Sequence, residues 1–242
     1  MLNEPAERLR RDGAAPVNLI AFDDGIPPSV LVSEGSQASL SSVLYRMFEC
    51  AVALSVLVLT APLCLVLALL VRLDSPGPVL FFQTRLGRGA KPFRFVKFRT
   101  LLVDARERYP ELYRYKYTPE QIQVMRFKVE NDPRVTRFGG WLRKTSLDEL
   151  PNFWNVLTGD MALVGPRPEI PEMLPYYSGE DLMKFSVRPG VTGFAQTAGR
   201  GHLSFRETAR LDVEYVKTRS VRVDLKVMLK TLAMVALGHG AF

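Results

Sequence analysis

Hydrophobic and polar positions divide this 242-residue chain into three stretches. Residues 1–41 are polar and rich in Pro, Gly, Ser and Asp, as in Asp23-Asp24-Gly25-Ile26-Pro27-Pro28. They show neither a helical nor a strand apolar period, which predicts a flexible tail. So long a polar stretch ahead of the first apolar run is unlike a cleavable secretory signal. Residues 50–71 then run for 22 positions without a charge, about 33 Å as a helix and enough for the hydrocarbon core of a bilayer. We assign residues 42–73 to a membrane helix. Pro62 removes a hydrogen bond near its middle and disfavours helical geometry at Ala61, so a bend is expected between half-helices at 43–60 and 63–73. A bent single pass and a re-entrant hairpin both meet this description. In the hairpin, Arg46 on the entering side and Arg72, Arg85, Arg88, Lys91, Arg94, Lys97 and Arg99 after the exit share one face, which the excess of basic residues places in the cytoplasm.

Residues 74–242 carry shorter, mixed elements. Asp74-Ser75-Pro76-Gly77-Pro78 is a turn cluster, and residues 79–83 form a β-rich run. Residues 93–99 alternate aromatic or aliphatic with basic side chains, as a half-buried strand with its basic residues on one face would. Residues 106–126 are Tyr-rich and helix-compatible, punctuated by Pro110 and Pro119. Leu147, Leu150, Trp154 and Leu157 recur at helical spacing up to Gly159, a C-terminal cap, and Met161-Ala162-Leu163-Val164 reads as a strand leading into Gly165-Pro166-Arg167-Pro168. Residues 224–237 are apolar apart from Asp224, Lys226 and Lys230, which suits a helix lying in the membrane interface or one packed on the core. The pattern predicts an α/β chain of α+β type, a small sheet with surrounding helices.

Charge narrows the partner. The formal net charge is +7, and residues 72–144 hold 17 Lys and Arg against 7 Asp and Glu, an excess of +10. Nucleic acid, acidic lipid and phosphorylated small substrates are the anionic partners this allows. Cys50 and Cys64 both fall in the apolar run and read as small apolar side chains, and His202 and His239 are too few for a histidine-rich metal centre.

Arg143-Lys144-Thr145-Ser146-Leu147-Asp148-Glu149-Leu150-Pro151-Asn152 is the stretch richest in chemistry. Two adjacent carboxylates follow two cations at the start of an expected helix. Ser146 and Glu149 have the spacing of a capping box, a purely structural use of the same residues. A carboxylate at a helix start beside Arg143 and Lys144 is also held ionised, and can attack phosphorus as an aspartyl nucleophile. Phosphoryl transfer relies on positioning and charge neutralisation, for which Lys97, Arg99, Arg143 and Arg167 are candidates, with a divalent metal on oxygen ligands. In Gly165-Pro166-Arg167-Pro168 the two prolines fix the backbone around one guanidinium, suited to phosphate recognition or to a surface ion pair.

Five segments together resemble the bacterial initiating sugar transferases, the monotopic polyprenyl-phosphate phosphoglycosyl transferases. They are Lys97-Phe98-Arg99-Thr100; Asn131-Asp132-Pro133-Arg134-Val135-Thr136-Arg137-Phe138-Gly139; Leu142 through Asn152; Asn155 through Pro168; and Pro189-Gly190-Val191-Thr192-Gly193-Phe194-Ala195-Gln196. The resemblance implies that a UDP-sugar gives up its sugar-1-phosphate to polyprenyl (undecaprenyl) phosphate, releasing UMP and initiating exopolysaccharide or glycoconjugate assembly. By the same resemblance Asp148 is the nucleophile and a Mg2+ ligand, and Glu149 assists the lipid phosphate. Lys97, Arg143, Arg167 and Arg200 match basic positions near the phosphates. A re-entrant membrane helix broken at Pro62 is implied too, with the catalytic domain on the cytoplasmic face of the inner membrane, in contact with membrane lipid and compatible with a homo-oligomer. Ala61 stands where the family often has Ser, and Asn152 where Gln is commoner. A tethered nucleic-acid binder is the rival from charge alone. It has no use for adjacent carboxylates inside the basic region, so no nucleic-acid partner is expected; the intact pair likewise argues against a non-catalytic scaffold.

Overall fold

The computed structural model describes residues 40–126, 128–129, 131–199 and 202–237, so residues 1–39 of the expected tail, Arg200 and His239 lie outside the described residues. Helix α1 (Leu40–Asp74) is a single element of 35 residues with Pro62 inside it, where two half-helices were expected. The proline removes one N–H donor without ending the helix, and Thr60 turns its hydroxyl back to the Val56 carbonyl at 2.7 Å. Among the described residues α1 is the one helix long and apolar enough to cross a membrane.

Both ends of α1 pack on the rest of the chain. Near its start Ala53 is buried with Val156, Met161, Leu163, Val164, Tyr215 and Val227; towards its end Leu67 and Val71 bury against Phe98 and Leu142. None of residues 54–66 is buried, and Leu54, Val58, Leu59 and Leu65 present their apolar surface outward. The start is also fastened by polar contacts. Glu49, fully buried, accepts from the Leu163 N–H at 3.2 Å and from Arg188 at 2.9 Å, with Arg46 at 3.3 Å. Arg46 in turn donates to the Val156 carbonyl, and the Tyr45 and Tyr215 hydroxyls both donate to Asp224, at 2.6 and 2.7 Å.

Strands β1 (Leu80–Leu86) and β2 (Pro92–Phe98) form an antiparallel hairpin with Leu80 opposite Phe98 and Leu86 opposite Pro92. The strand period sends residues 81, 83, 85, 93, 95 and 97 to one face and 82, 84, 94, 96 and 98 to the other. The basic residues therefore do not share a face, contrary to expectation. Phe95-Val96 puts Arg94 and Lys97 three positions apart, so Arg94 lies over the Phe82 ring at 3.9 Å while Lys97 and Arg85 point the other way.

Strands β3 (Ala162–Val164) and β4 (Gly190–Thr192) pair in parallel, so among the described residues the expected small sheet structure consists of two separate pairs. They approach so closely beyond β3 that a Cβ on Gly190 would stand 2.0 Å from the Gly165 nitrogen. Helices surround them. The Tyr-rich stretch yields only α2 (Ala105–Arg108), a short turn at Pro110–Tyr113 and α3 (Pro119–Val124), because its prolines and the left-handed Tyr115 break it up. Then come α4 (Arg137–Thr145), α5 (Asn152–Thr158) ending at the left-handed Gly159, α6 (Phe194–Gly199), α7 (Phe205–Thr218) and α8 (Val221–Ala236). In helix α8 Asp224 and Val227 pack inward, as the core reading requires, while Val221, Leu225, Leu229, Leu232 and Val235 form an exposed apolar stripe.

Glu49→Leu would strip the buried carboxylate from Arg46, Arg188 and the Leu163 N–H, and we expect a loss of about 3–5 kcal/mol. Tyr45→Phe, which removes one hydrogen bond to Asp224, should cost about 1 kcal/mol. Thermal unfolding in detergent micelles checks the order of the two; equal melting temperatures would refute it.

Candidate active site

The site begins with how two distant segments are clasped. Thr100, just past β2, accepts the Thr136 N–H on its carbonyl at 3.0 Å, and Thr136 caps α4 through the Gly139 N–H at 3.0 Å. Gly139 makes the approach feasible, because a Cβ there would lie 2.3 Å from the Thr100 carbonyl oxygen. The strand that carries Lys97 is thereby joined to the helix that leads to Asp148.

Helix α4 ends at Ser146, whose left-handed backbone (φ 60°) donates to the Arg143 carbonyl at 3.3 Å. A single 3-10 turn at Leu147–Glu149 follows, and then α5. The expected helix start at the carboxylate pair is thus a tight turn between two helices. Ser146 makes no side-chain cap and is not in the extended conformation that a capping box requires, so that use of Ser146 and Glu149 is overturned. The turn buries Asp148 at 5% exposure and leaves Glu149 half-buried.

Lys97 Nζ lies 3.6 Å from Asp148 Oδ2. Burial pushes the Lys97 ammonium down to about 8, the Asp148 carboxylate opposes that shift, and Arg143 and Arg85 add to it. At neutral pH Lys97 keeps its proton. Arg143 donates from Nε to Thr100 Oγ1 at 3.0 Å and reaches Asp132 Oδ2 at 3.9 Å; burial lowers its pKa, against the pull of Asp148 and Asp132. Burial works against ionisation of Asp132, but two 2.8 Å bonds from Arg134 outweigh it and hold that carboxyl below its usual range. The structure brings Lys97, Arg143 and the Asp148-Glu149 turn into one neighbourhood, with Asp132 and Arg134 bracing Arg143.

Arg99, expected at a substrate phosphate, is placed elsewhere. It lies past the end of β2, buried, and its guanidinium is taken up by Ser75 Oγ at 2.6 Å, the Ser75 carbonyl at 2.8 Å and the Pro78 carbonyl at 2.6 Å. It fastens the turn where α1 ends.

Arg167 follows β3 and is exposed, with its backbone N–H directed to Asp212 Oδ1 at 3.4 Å. The loop stands on a buried group. Glu169 accepts from Tyr177 at 2.6 Å, and Lys184 lies 3.7 Å from Glu169 and 3.0 Å from Asp212. Burial raises the Asp212 carboxyl, with Lys184 opposing, and raises the Tyr177 phenol well above its ordinary value. Arg85 approaches the loop from β1 and donates from Nη1 to the Pro168 carbonyl at 3.1 Å. In the sequence it stands out only as one of many basic residues after the membrane run; its shared strand parity with Lys97, once the hairpin register is known, is the signal that finds it.

Pro62 lies in the exposed middle of α1, remote in sequence from both groups, and Arg200 is outside the described residues. Among the described residues no three His, Cys, Asp or Glu side chains converge to hold a metal. A Mg2+ ion does not need such a cage, since one or two carboxylates plus phosphate oxygens suffice, so the donor set fits only an ion shared with a substrate.

A membrane-attached α+β chain with a buried, cation-flanked carboxylate turn is the class these features define. A family model described as "Bacterial sugar transferase" matches residues 40–238, and the chain belongs to that family. It is 43% identical over 166 residues to the galactosyl transferase CpsE of Streptococcus agalactiae, covering 68% of this chain and 36% of that protein. It is 36% identical over 217 residues to the UDP-glucose:undecaprenyl-phosphate glucose-1-phosphate transferase of Escherichia coli, covering 85% and 43%. With the exopolysaccharide production protein ExoY of Rhizobium meliloti it shares 34% identity over 210 residues, 86% of this chain and 92% of the relative. The chain spans less than half the length of the first two.

The clasp yields a paired test. A Cβ at Gly140 meets only Val135 at 3.7 Å, so Gly140→Ala should stabilise by about 0.5–1 kcal/mol, whereas Gly139→Ala should destabilise by several times that amount. Melting temperatures of the two variants settle the contrast; similar shifts of one sign would refute the clasp.

Proposed function

We propose that this protein transfers a sugar-1-phosphate from a UDP-sugar to undecaprenyl phosphate, releasing UMP, as the initiating step of exopolysaccharide or glycoconjugate assembly. The observation that carries this is the 3.6 Å contact between Lys97 and a buried Asp148. An Asp148 oxygen bonds to the sugar-bearing phosphorus, and the bond from that phosphorus to the bridging oxygen breaks, so that UMP leaves with the bridging oxygen. An oxygen of the lipid phosphate then bonds to the same phosphorus and the Asp148–phosphorus bond breaks, which returns the carboxylate. Glu149 takes up any proton the lipid phosphate carries, and Lys97 and Arg143 balance the charge that builds on the phosphoryl oxygens. Asp148 would hold Mg2+, and the ion would supply further charge neutralisation there.

The names of the relatives support the reading at the level of class. One is called a UDP-glucose:undecaprenyl-phosphate glucose-1-phosphate transferase and another a galactosyl transferase. Since the sugars in those names differ, the sugar moved by this chain is left to a panel of UDP-sugars. The packing of both ends of α1 on one folded unit supports a re-entrant helix, because a straight pass would carry one end to the far side of the bilayer. The basic excess after α1 favours the cytoplasmic face of the inner membrane.

Asp148→Asn should abolish both UMP release and lipid-linked product in an assay with Mg2+, undecaprenyl phosphate and UDP-sugars. Glu149→Gln should retain a burst of about one UMP per enzyme and then turn over slowly. Lys97→Met should lower kcat/KM by roughly 30- to 100-fold, as expected for loss of one charge-assisted contact. Normal product formation by purified Asp148→Asn protein defeats the reading.

A further inference from the structure

We propose that Arg85 is a substrate-binding residue, which with Arg167 seats the phosphate on the nucleoside side of the donor while Lys97 and Arg143 serve the phosphate that Asp148 attacks. The assignment rests on the phosphoglycosyl-transfer reading above and adds a residue to it. Its starting point is the hairpin register. Arg85 is opposite Phe93 and Lys97 opposite Phe81, so both cations leave the same face of the β1–β2 pair, on either side of Phe95. Arg85 lies over the Phe95 ring at 5.6 Å, which keeps its guanidinium extended towards the Arg167 loop.

Two bonds tie β1 to that loop: Arg85 Nη1 to the Pro168 carbonyl at 3.1 Å, and the Leu86 N–H to the Glu169 carbonyl at 2.7 Å. They bring the Arg85 guanidinium beside the residue that carries the other guanidinium. A prop for the loop would need no more than this. What a prop leaves unexplained is the remainder of the Arg85 head group. Its Nε is buried with no hydrogen-bond partner. Glu169, an acidic side chain of the loop, is already committed to Tyr177, the Ile170 N–H and Lys184. Burial pushes Arg85 down to about 10 and the neighbouring Arg167 adds to that, while Glu169, Tyr115 and Glu172 oppose it, so a second cation acts on the head group that carries the unpaired donor. A buried donor without a partner and two like charges side by side both destabilise the molecule by itself, and a phosphate bound between them would relieve both.

A nucleotide-diphosphate donor presents two phosphates, and the cations fall into two groups to match. Lys97 and Arg143 flank Asp148, while Arg85 and Arg167 lie at the Pro168 loop. When Asp148 bonds to the sugar-bearing phosphorus and the bridging oxygen departs, the negative charge released sits on the nucleoside-side phosphate. Arg85 and Arg167 are the groups positioned to receive it.

The test measures inhibition by UMP and by uridine, with full-length protein in nanodiscs, for wild type, Arg85→Met and Arg85→Lys. Arg85→Met should raise the UMP inhibition constant and the donor KM about 30-fold, leave the KM for undecaprenyl phosphate unchanged, and abolish the preference for UMP over uridine. Arg85→Lys keeps the charge without the two-pronged guanidinium and should fall in between, which covers the case in which the methionine variant does not fold. If UMP inhibits both variants as strongly as wild type, or if only kcat and melting temperature fall, Arg85 is a loop prop and the proposal is wrong. Wild-type protein that forms no lipid-linked product from any UDP-sugar would instead sink the underlying reading.

Discussion

Asp148 lies out of water, at 5% exposure, with cations where its solvent would be. A buried carboxylate is tolerated where opposite charge and hydrogen bonds replace hydration, and it turns into a liability wherever they do not. Lys97 at 3.6 Å supplies that charge, and it suffers in return: burial drags its own pKa down to about 8. The two groups are therefore poorly solvated partners whose balance depends on each staying in place. Much of the surrounding architecture can be read as the means of keeping them there.

Lys97 is on a strand and Asp148 on a tight turn, and the two elements meet in one apolar cluster that holds Phe98, Leu142, Leu147 and Leu150. Backbone contacts reinforce that packing. Thr100 receives the Thr136 amide, Gly139 admits the contact by having no side chain, and α4 then runs to the left-handed Ser146 that forces the turn. On the other flank Arg99 ties the end of the same strand to the exit of α1, so the long apolar helix and the segment nearest the carboxylate share one support. The site is thus mechanically continuous with α1. A second continuity runs through Glu49, which binds the start of α1 to β3 just before the Gly165-Pro166-Arg167-Pro168 loop.

Local pattern made much of this legible. The uncharged run appears as α1, the turn cluster and alternating residues as the hairpin, and Gly159 as the cap it promised. The ordered motifs also drew attention to Lys97, Arg143, Asp148 and Glu149, which the chain folds into one neighbourhood. What failed depended on geometry that local pattern does not encode. Ser146 and Glu149 have capping-box spacing, yet α4 ends one residue before and turns Ser146 left-handed. Arg99 follows the motif of Lys97 by two residues, yet lies beyond the strand and meets three backbone and hydroxyl oxygens instead of the site. Arg85 is not set apart from the other basic residues by local pattern, for the converse reason: only the register of β1 against β2 reveals that it shares a strand face with Lys97.

The central claim is that Asp148 becomes covalently bonded to phosphorus during turnover. Intact-protein and peptide mass spectrometry of enzyme quenched after exposure to a UDP-sugar, without undecaprenyl phosphate, tests it most directly. The account predicts added mass equal to one phospho-sugar on the peptide containing Asp148, removed when the lipid phosphate is supplied. Steady accumulation of lipid-linked product with that peptide unmodified at every time point would contradict it.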